Sequence, residues 1–161
     1  MKNRIWVIGL SLIVGLALGT TAGWYFKNRS PDKENEPATE GIWNALEKAD
    51  LIRVDAPRPN QKITSPLTVM GEARGTWFFE ASFPVKLVGE NGDLIVQSHA
   101  EAQADPATGE VNWMTEDFVP FQATLEFPKP STAKGLLILE KDNPSGLPEH
   151  ADQLEIPVSF E

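Results

Sequence analysis

The sequence predicts an all-β domain, an antiparallel β-sandwich of about seven strands, preceded by one apolar N-terminal helix. Three observations lead there. From Leu51 onward, apolar and polar residues alternate in short runs. Glycines and prolines separate those runs, and Ile5 to Phe26 form a single uncharged stretch. Alternation buries one face of a strand and exposes the other, and closely spaced turns make successive strands antiparallel neighbours.

The N-terminal stretch comes first. Lys2 and Arg4 precede Ile5–Phe26, with Trp6 near one end and Trp24 and Tyr25 at the other. A helix of about 22 residues spans roughly 33 Å, enough for a bilayer core, and the aromatic residues fall where an interfacial belt forms. Residues 1–27 are therefore read as a membrane anchor. The competing reading is a signal segment cleaved after Thr20-Thr21-Ala22, which would leave a secreted domain. Lys27, Arg29 and Lys33 follow the stretch, so flanking charge alone barely sets its orientation. A short basic head before a large acidic domain suits a single pass with Lys2 and Arg4 inside and Glu161 outside the cytoplasm. Gly15, Gly19 and Gly23 recur at four-residue spacing, a pattern that permits close helix–helix contact and a homo-oligomer.

Residues 28–50 read as a linker. Asn28–Glu40 is polar, contains prolines and cannot bury a core. Ile42, Trp43, Leu46 and Ala49 then recur at helical spacing, which predicts one short amphipathic helix over Ile42–Leu51.

Residues 51–161 make the sandwich. Strands are predicted at Leu51–Val54, Leu67–Ala73, Ser82–Val88, Leu94–Ala100, Phe121–Phe127, Leu136–Glu140 and Leu154–Phe160. The third and fourth are joined by Gly89-Glu90-Asn91-Gly92-Asp93, a hairpin signal because Asn-Gly tolerates positive φ.

Composition excludes several functions. The 161 residues carry 14 Lys and Arg against 23 Asp and Glu, a net charge of −9 that counts against nucleic-acid binding. Cysteine is lacking, which removes disulfides, thiol nucleophiles and thiolate metal sites. Ser98-His99 and Ser65 lie in no Gly-x-Ser-x-Gly elbow, and Glu116-Asp117 are loop neighbours rather than acids set across a cleft. Asp142-Asn143-Pro144-Ser145-Gly146 offers oxygen ligands at a spacing unlike the twelve-residue calcium loop, and it is also ordinary turn chemistry. No enzyme, cofactor or metal is expected.

A set of ordered segments then carries a family resemblance. Ile52-Arg53-Val54-Asp55-Ala56-Pro57, Ser65 through Ala73, and Phe79-Glu80-Ala81 come first. Phe83-Pro84-Val85, Gly92, Phe121, Glu140 and Ile156-Pro157-Val158 continue the series. Together they resemble the immunoglobulin-like domain of bacterial spore-germination proteins, over roughly Leu51–Glu161. The resemblance implies an Ig-like sandwich outside the cytoplasm, on a secreted or membrane-attached protein, without catalytic residues. Ala104–Asp117 is longer than that family's usual loop.

Four residues are candidates for binding: Trp113, Met114, Trp77 and Glu80. Trp113-Met114 sits in the acidic loop, where no strand pattern demands a large apolar pair, and loops carry binding more often than sheet interiors do. Trp77, Phe78 and Phe79, with Trp113 and Phe118, make either an aromatic platform or core packing. Glu80 is either a ligand-facing acid or a clamp accepting backbone N–H groups. The expected function is a non-enzymatic module that binds an extracytoplasmic protein or cell-wall polymer, attached to the membrane through its N-terminal helix. The alternative is a structural spacer or an assembly subunit of a membrane complex.

Overall fold

The structure is a computed structural model that describes residues 44–161. The Ile5–Phe26 span, its three glycines, the linker and the first residues of the expected short helix lie outside the described residues. Among the described residues no helix is long and apolar enough to cross a membrane. One helical turn, residues 44–47, leads in. Ala45 from it packs on the core, whereas Leu46 points to solvent.

Eight strands follow: β1 (Ile52–Ala56), β2 (Lys62–Ile63), β3 (Leu67–Arg74), β4 (Ser82–Gly89), β5 (Leu94–Ala102), β6 (Phe118–Leu125), β7 (Lys134–Glu140) and β8 (Gln153–Phe160). They form one sheet in the order β1-β3-β6-β5-β4-β7-β8-β2, antiparallel except for the β2–β8 pair. Two details correct the expectation of about seven strands. The added one, β2, is two residues long, too short to show an alternating pattern. β6 begins three residues earlier than expected, at Phe118. Pro120 is tolerated inside it because its backbone nitrogen faces away from β3, and its carbonyl accepts the Gln103 N–H at 2.7 Å.

The sheet curls so that one face closes on itself. Residues of period two turn inward: Leu67, Val69 and Ala73 from β3 with Val119, Phe121, Ala123 and Leu125 from β6, and, from the ladder of β4 with β7 and β8, Phe83, Val85, Leu87, Leu137, Leu139, Leu154, Ile156 and Val158. β4 and β6 share no ladder, yet Phe83 meets Phe121 edge to face with centroids 5.0 Å apart. Phe78 meets Phe83 in the same way at 5.1 Å. These rings join the two halves across the core, where edge-to-face pairs add to simple burial.

The curled sheet has two seams. At the first, the chain crosses from β1 to β2 and covers the outer edge of β8. Asn60 N–H donates to the Pro157 carbonyl at 2.6 Å, Ser159 N–H donates to Gln61 at 3.0 Å, and Asn44 Oδ1 accepts the Glu155 N–H at 2.8 Å. At the second seam, β5 stays paired with β4 along its length and forms a ladder with β6 only at Glu101 and Ala102. Further along, Ser98 Oγ bridges to the Thr124 carbonyl at 3.2 Å.

Strand directions set the ends of the sandwich. Residues 44–51, 75–81, 103–117 and 141–152 all lie at one end, called here the loop end. The connections 57–66, 90–93 and 126–133 lie at the other.

Candidate functional site

All four residues singled out from the sequence belong to the loop end, but they do different things there. Trp77 is 2% exposed and is part of the core. It sits in a single 3-10 turn, Gly75–Trp77, and its carbonyl accepts the Asp142 N–H at 3.0 Å. Its indole Nε1 is buried without a hydrogen-bond partner among the described residues. Trp77 thus presents no side chain at the surface: the 3-10 turn after β3 carries the ring inward.

Glu80 is exposed at the tip of a two-residue turn. Phe79 and Ser82 exchange two backbone hydrogen bonds, 3.0 and 3.1 Å, around Glu80 and Ala81, whose φ angles are 49° and 62°. Positive φ at both central residues is the type I′ arrangement, which favours glycine or asparagine and costs a side-chain-bearing residue about 1 kcal/mol. The clamp reading fails here, because solvent surrounds the Glu80 carboxylate and it accepts no hydrogen bond among the described residues. What the turn does instead is present Phe79, 43% exposed, beside an acid.

Trp113 and Met114 divide in a way their adjacency does not reveal. Trp113 is half-buried and packs on the core, while Met114 is 78% exposed. The backbone explains the split. Gly75 N–H donates to the Asp117 carbonyl at 3.1 Å, and Arg74 donates to the Glu116 carbonyl at 3.2 Å. The 113–115 backbone lies so close over Gly75 that a Cβ there would stand 2.0 Å from the Thr115 carbonyl oxygen. Gly75 is the seat of the long loop. With Trp113 held inward, Met114 must face solvent.

The rest of that loop is braced by its own polar groups. Asp105 Oδ1 accepts the Ala107 N–H at 2.6 Å, and the Asp105 N–H donates to Glu110 at 2.9 Å. The Asp142–Gly146 segment is likewise a turn: Gly146 N–H donates to Asn143 at 3.1 Å, and Asn143 Nδ2 donates to Leu147 at 2.8 Å. Among the described residues no three metal-ligating side chains gather. Between this turn and the lead-in residues lies a polar groove of about 800 Å³, whose walls include Asn44, Asp142, Glu155 and the Lys48–Asp152 ion pair.

The sequence reading missed the collective pattern. Of eight large hydrophobic residues exposed among the described residues, six lie at the loop end: Leu46, Leu51, Phe79, Val111, Met114 and Leu147. The same four segments hold ten Asp and Glu against two Lys, Lys48 and Lys141. All the remaining described residues hold nine Asp and Glu against seven Lys and Arg. Apolar tips in an acidic field are thus concentrated at one end. No single segment announces this, since the topology assembles it.

Phe118 belongs to a neighbouring face rather than to the tips. The Arg53 and Arg74 guanidinium groups each lie 4.1 Å from its ring centroid. The same arginines donate to the Ala49 and Asp50 carbonyls at 2.7 and 2.9 Å. This stack fastens the lead-in residues to β3, and cation–π contacts of this kind contribute on the order of 0.5–1 kcal/mol.

No curated protein and no solved structure matches the chain. A family model does, over residues 51–146, from the strand that opens the sheet through the turn that follows β7. With the eight-stranded curled sheet, this establishes that the chain belongs to the family described as the immunoglobulin-like domain of bacterial spore germination.

Proposed function

We propose that the chain is a non-enzymatic binding module of the bacterial cell envelope, held at the membrane by residues 1–27, and that its loop end takes a basic protein. The observation that carries this reading is the coincidence of six exposed apolar side chains with ten carboxylates at that end. Protein interfaces bury apolar anchors inside a polar rim, and opposite charge speeds encounter. Phe79, Val111, Met114 and Leu147 are the anchors. Glu80, Glu110, Glu116 and Asp117 form the rim. Internal bracing of the loops supports the reading, because a surface already ordered loses less freedom on binding.

The placement outside the cytoplasm draws on the Ile5–Phe26 span and on the family's extracytoplasmic character. The test is site-specific photocrosslinking from the full-length chain in intact cells. A crosslinker replacing Met114 or Phe79 is expected to capture one protein, and one replacing Met70, on the flank, is not. Capture should fall with added salt, because exposed charges are screened within about 8 Å at physiological ionic strength. Equal capture from position 70, or capture indifferent to Glu116→Lys with Asp117→Lys, would refute the loop-end assignment.

A further inference from the structure

A chain without cysteine has no thiol to carry oxidative chemistry, so the sulfur open to an oxidant is a methionine thioether. Three methionines are present. Met1 lies outside the described residues. Met70 stands on β3 opposite Gln122 of β6 and is 43% exposed. Met114 is 78% exposed, the highest value among the exposed large hydrophobic residues described.

Backbone bonds hold that side chain out. Thr115 N–H donates to the Trp113 carbonyl at 2.9 Å, which closes a three-residue turn with Met114 at its apex. Thr115 Oγ1 accepts the Asp117 N–H at 3.2 Å, and the Asp117 carbonyl accepts the Gly75 N–H at 3.1 Å. Trp113 packs on the core behind the turn. None of these contacts uses the Met114 side chain, so its chemistry can change while the loop stays in place.

We propose that Met114 is a reversible oxidation site that switches binding at the loop end. The switch rests on the loop-end binding proposed for the chain. Hydrogen peroxide is the oxidant the site suits: it is neutral, so the ten carboxylates of this end do not repel it. It transfers one oxygen atom to the Met114 sulfur. An S–O bond forms, the peroxide O–O bond breaks and water leaves, while the thioether loses two electrons and becomes a sulfoxide. An apolar anchor thereby gains a strong hydrogen-bond acceptor. Buried against an apolar partner surface, that oxygen lacks a donor and weakens binding. A methionine sulfoxide reductase, supplied with two electrons by a dithiol, returns the thioether and releases water. Oxidation of Met70, on the flank, leaves the loop-end anchors as they are.

The test begins with the purified full-length chain and hydrogen peroxide alone, followed by mass spectrometry of its peptides. Met114 is expected to gain one oxygen at least about twofold faster than Met70, in keeping with their exposures. Thermal unfolding of the oxidised chain should coincide with that of the untreated chain. The second step uses the photocrosslinker at Phe79 in intact cells, with every variant scored against its own untreated cells. Peroxide should lower capture by about tenfold or more in the chain with both methionines and in Met70→Leu. Met114→Leu should stay at its own untreated level. With protein synthesis blocked, capture should recover once peroxide is removed. Met70 reacting as fast as Met114, a lowered unfolding midpoint, or undiminished capture by a chain oxidised at Met114 would overturn the proposal. So would an equal loss in Met114→Leu or a loss that does not recover. Absence of capture in untreated cells is a separate failure: it refutes loop-end binding itself, and the switch with it.

Discussion

The two ends of the sandwich are built on opposite rules from the same strands. At the far end, the connections 57–66, 90–93 and 126–133 hold five prolines and balance three carboxylates with three bases. Leu94 is the large hydrophobic residue exposed nearest to them. At the loop end, 42 residues in four segments hold three prolines, ten carboxylates and two bases, and six of the exposed hydrophobics. Two turns make the same contrast in miniature. The β4–β5 hairpin places Gly92 at φ 84°, with open space where a Cβ would go. The Phe79–Ser82 turn places Glu80 and Ala81 in left-handed conformations without a glycine. At the far end the one side-chain-bearing residue at positive φ among those described is Asn60, at 63°, a residue type that tolerates it. The loop end retains strain and exposed apolar surface, the features that concentrate where proteins bind.

The comparison can be broken in steps. Phe83→Ala removes the ring that touches both Phe78 and Phe121 and should destabilise both ends together, by about 3–5 kcal/mol in urea unfolding. A smaller loss would mean the halves are not joined through that ring. Gly75→Ala should act on the loop end alone. Its Cβ meets the Thr115 and Trp113 carbonyls at 2.0 and 2.3 Å, so the long loop must lift, at a cost of about 1–3 kcal/mol. Amide exchange should then rise at Gly75 and Asp117 and stay unchanged in the Gly89–Asp93 hairpin.

The turns give a reciprocal pair. Gly92→Ala should destabilise by about 1 kcal/mol, whereas Ala81→Gly should stabilise by up to about 1 kcal/mol as strain is relieved. Equal signs in thermal unfolding would show that the ends do not differ in strain. Trp77→Phe is the smallest change. It deletes part of a buried ring but also an indole N–H that lacks a partner, so the two effects offset to within about 1 kcal/mol.

Much of the fold was legible from alternation. Each expected strand overlaps an observed one, and the inward residues Val69, Phe83, Leu87, Phe121, Leu125, Ile156 and Val158 are buried as period two requires. The Asn91-Gly92 hairpin was legible for a different reason, since that chemistry serves few other conformations. Trp77 and Trp113 were harder. A tryptophan outside a strand carries no periodic signal, and whether it packs or projects depends on what the next loop places over it. For Trp113 the deciding neighbour is Gly75, 38 positions earlier.

Local sequence thus determined the strands, the faces they bury, the family and the acidic character of the chain. Each of these depends on residues within a few positions of one another, or on a simple sum. Tertiary structure alone decided that Leu46, Phe79, Val111, Met114 and Leu147 share one end, and that β8 is covered by the β1–β2 crossing while β5 meets β6 in a ladder of only two residues. Both follow from the closure of the sheet. Strand direction sends alternate connections to the same end, and the curl decides which edges meet a partner. No local pattern encodes either outcome, because each is a property of how distant segments come together.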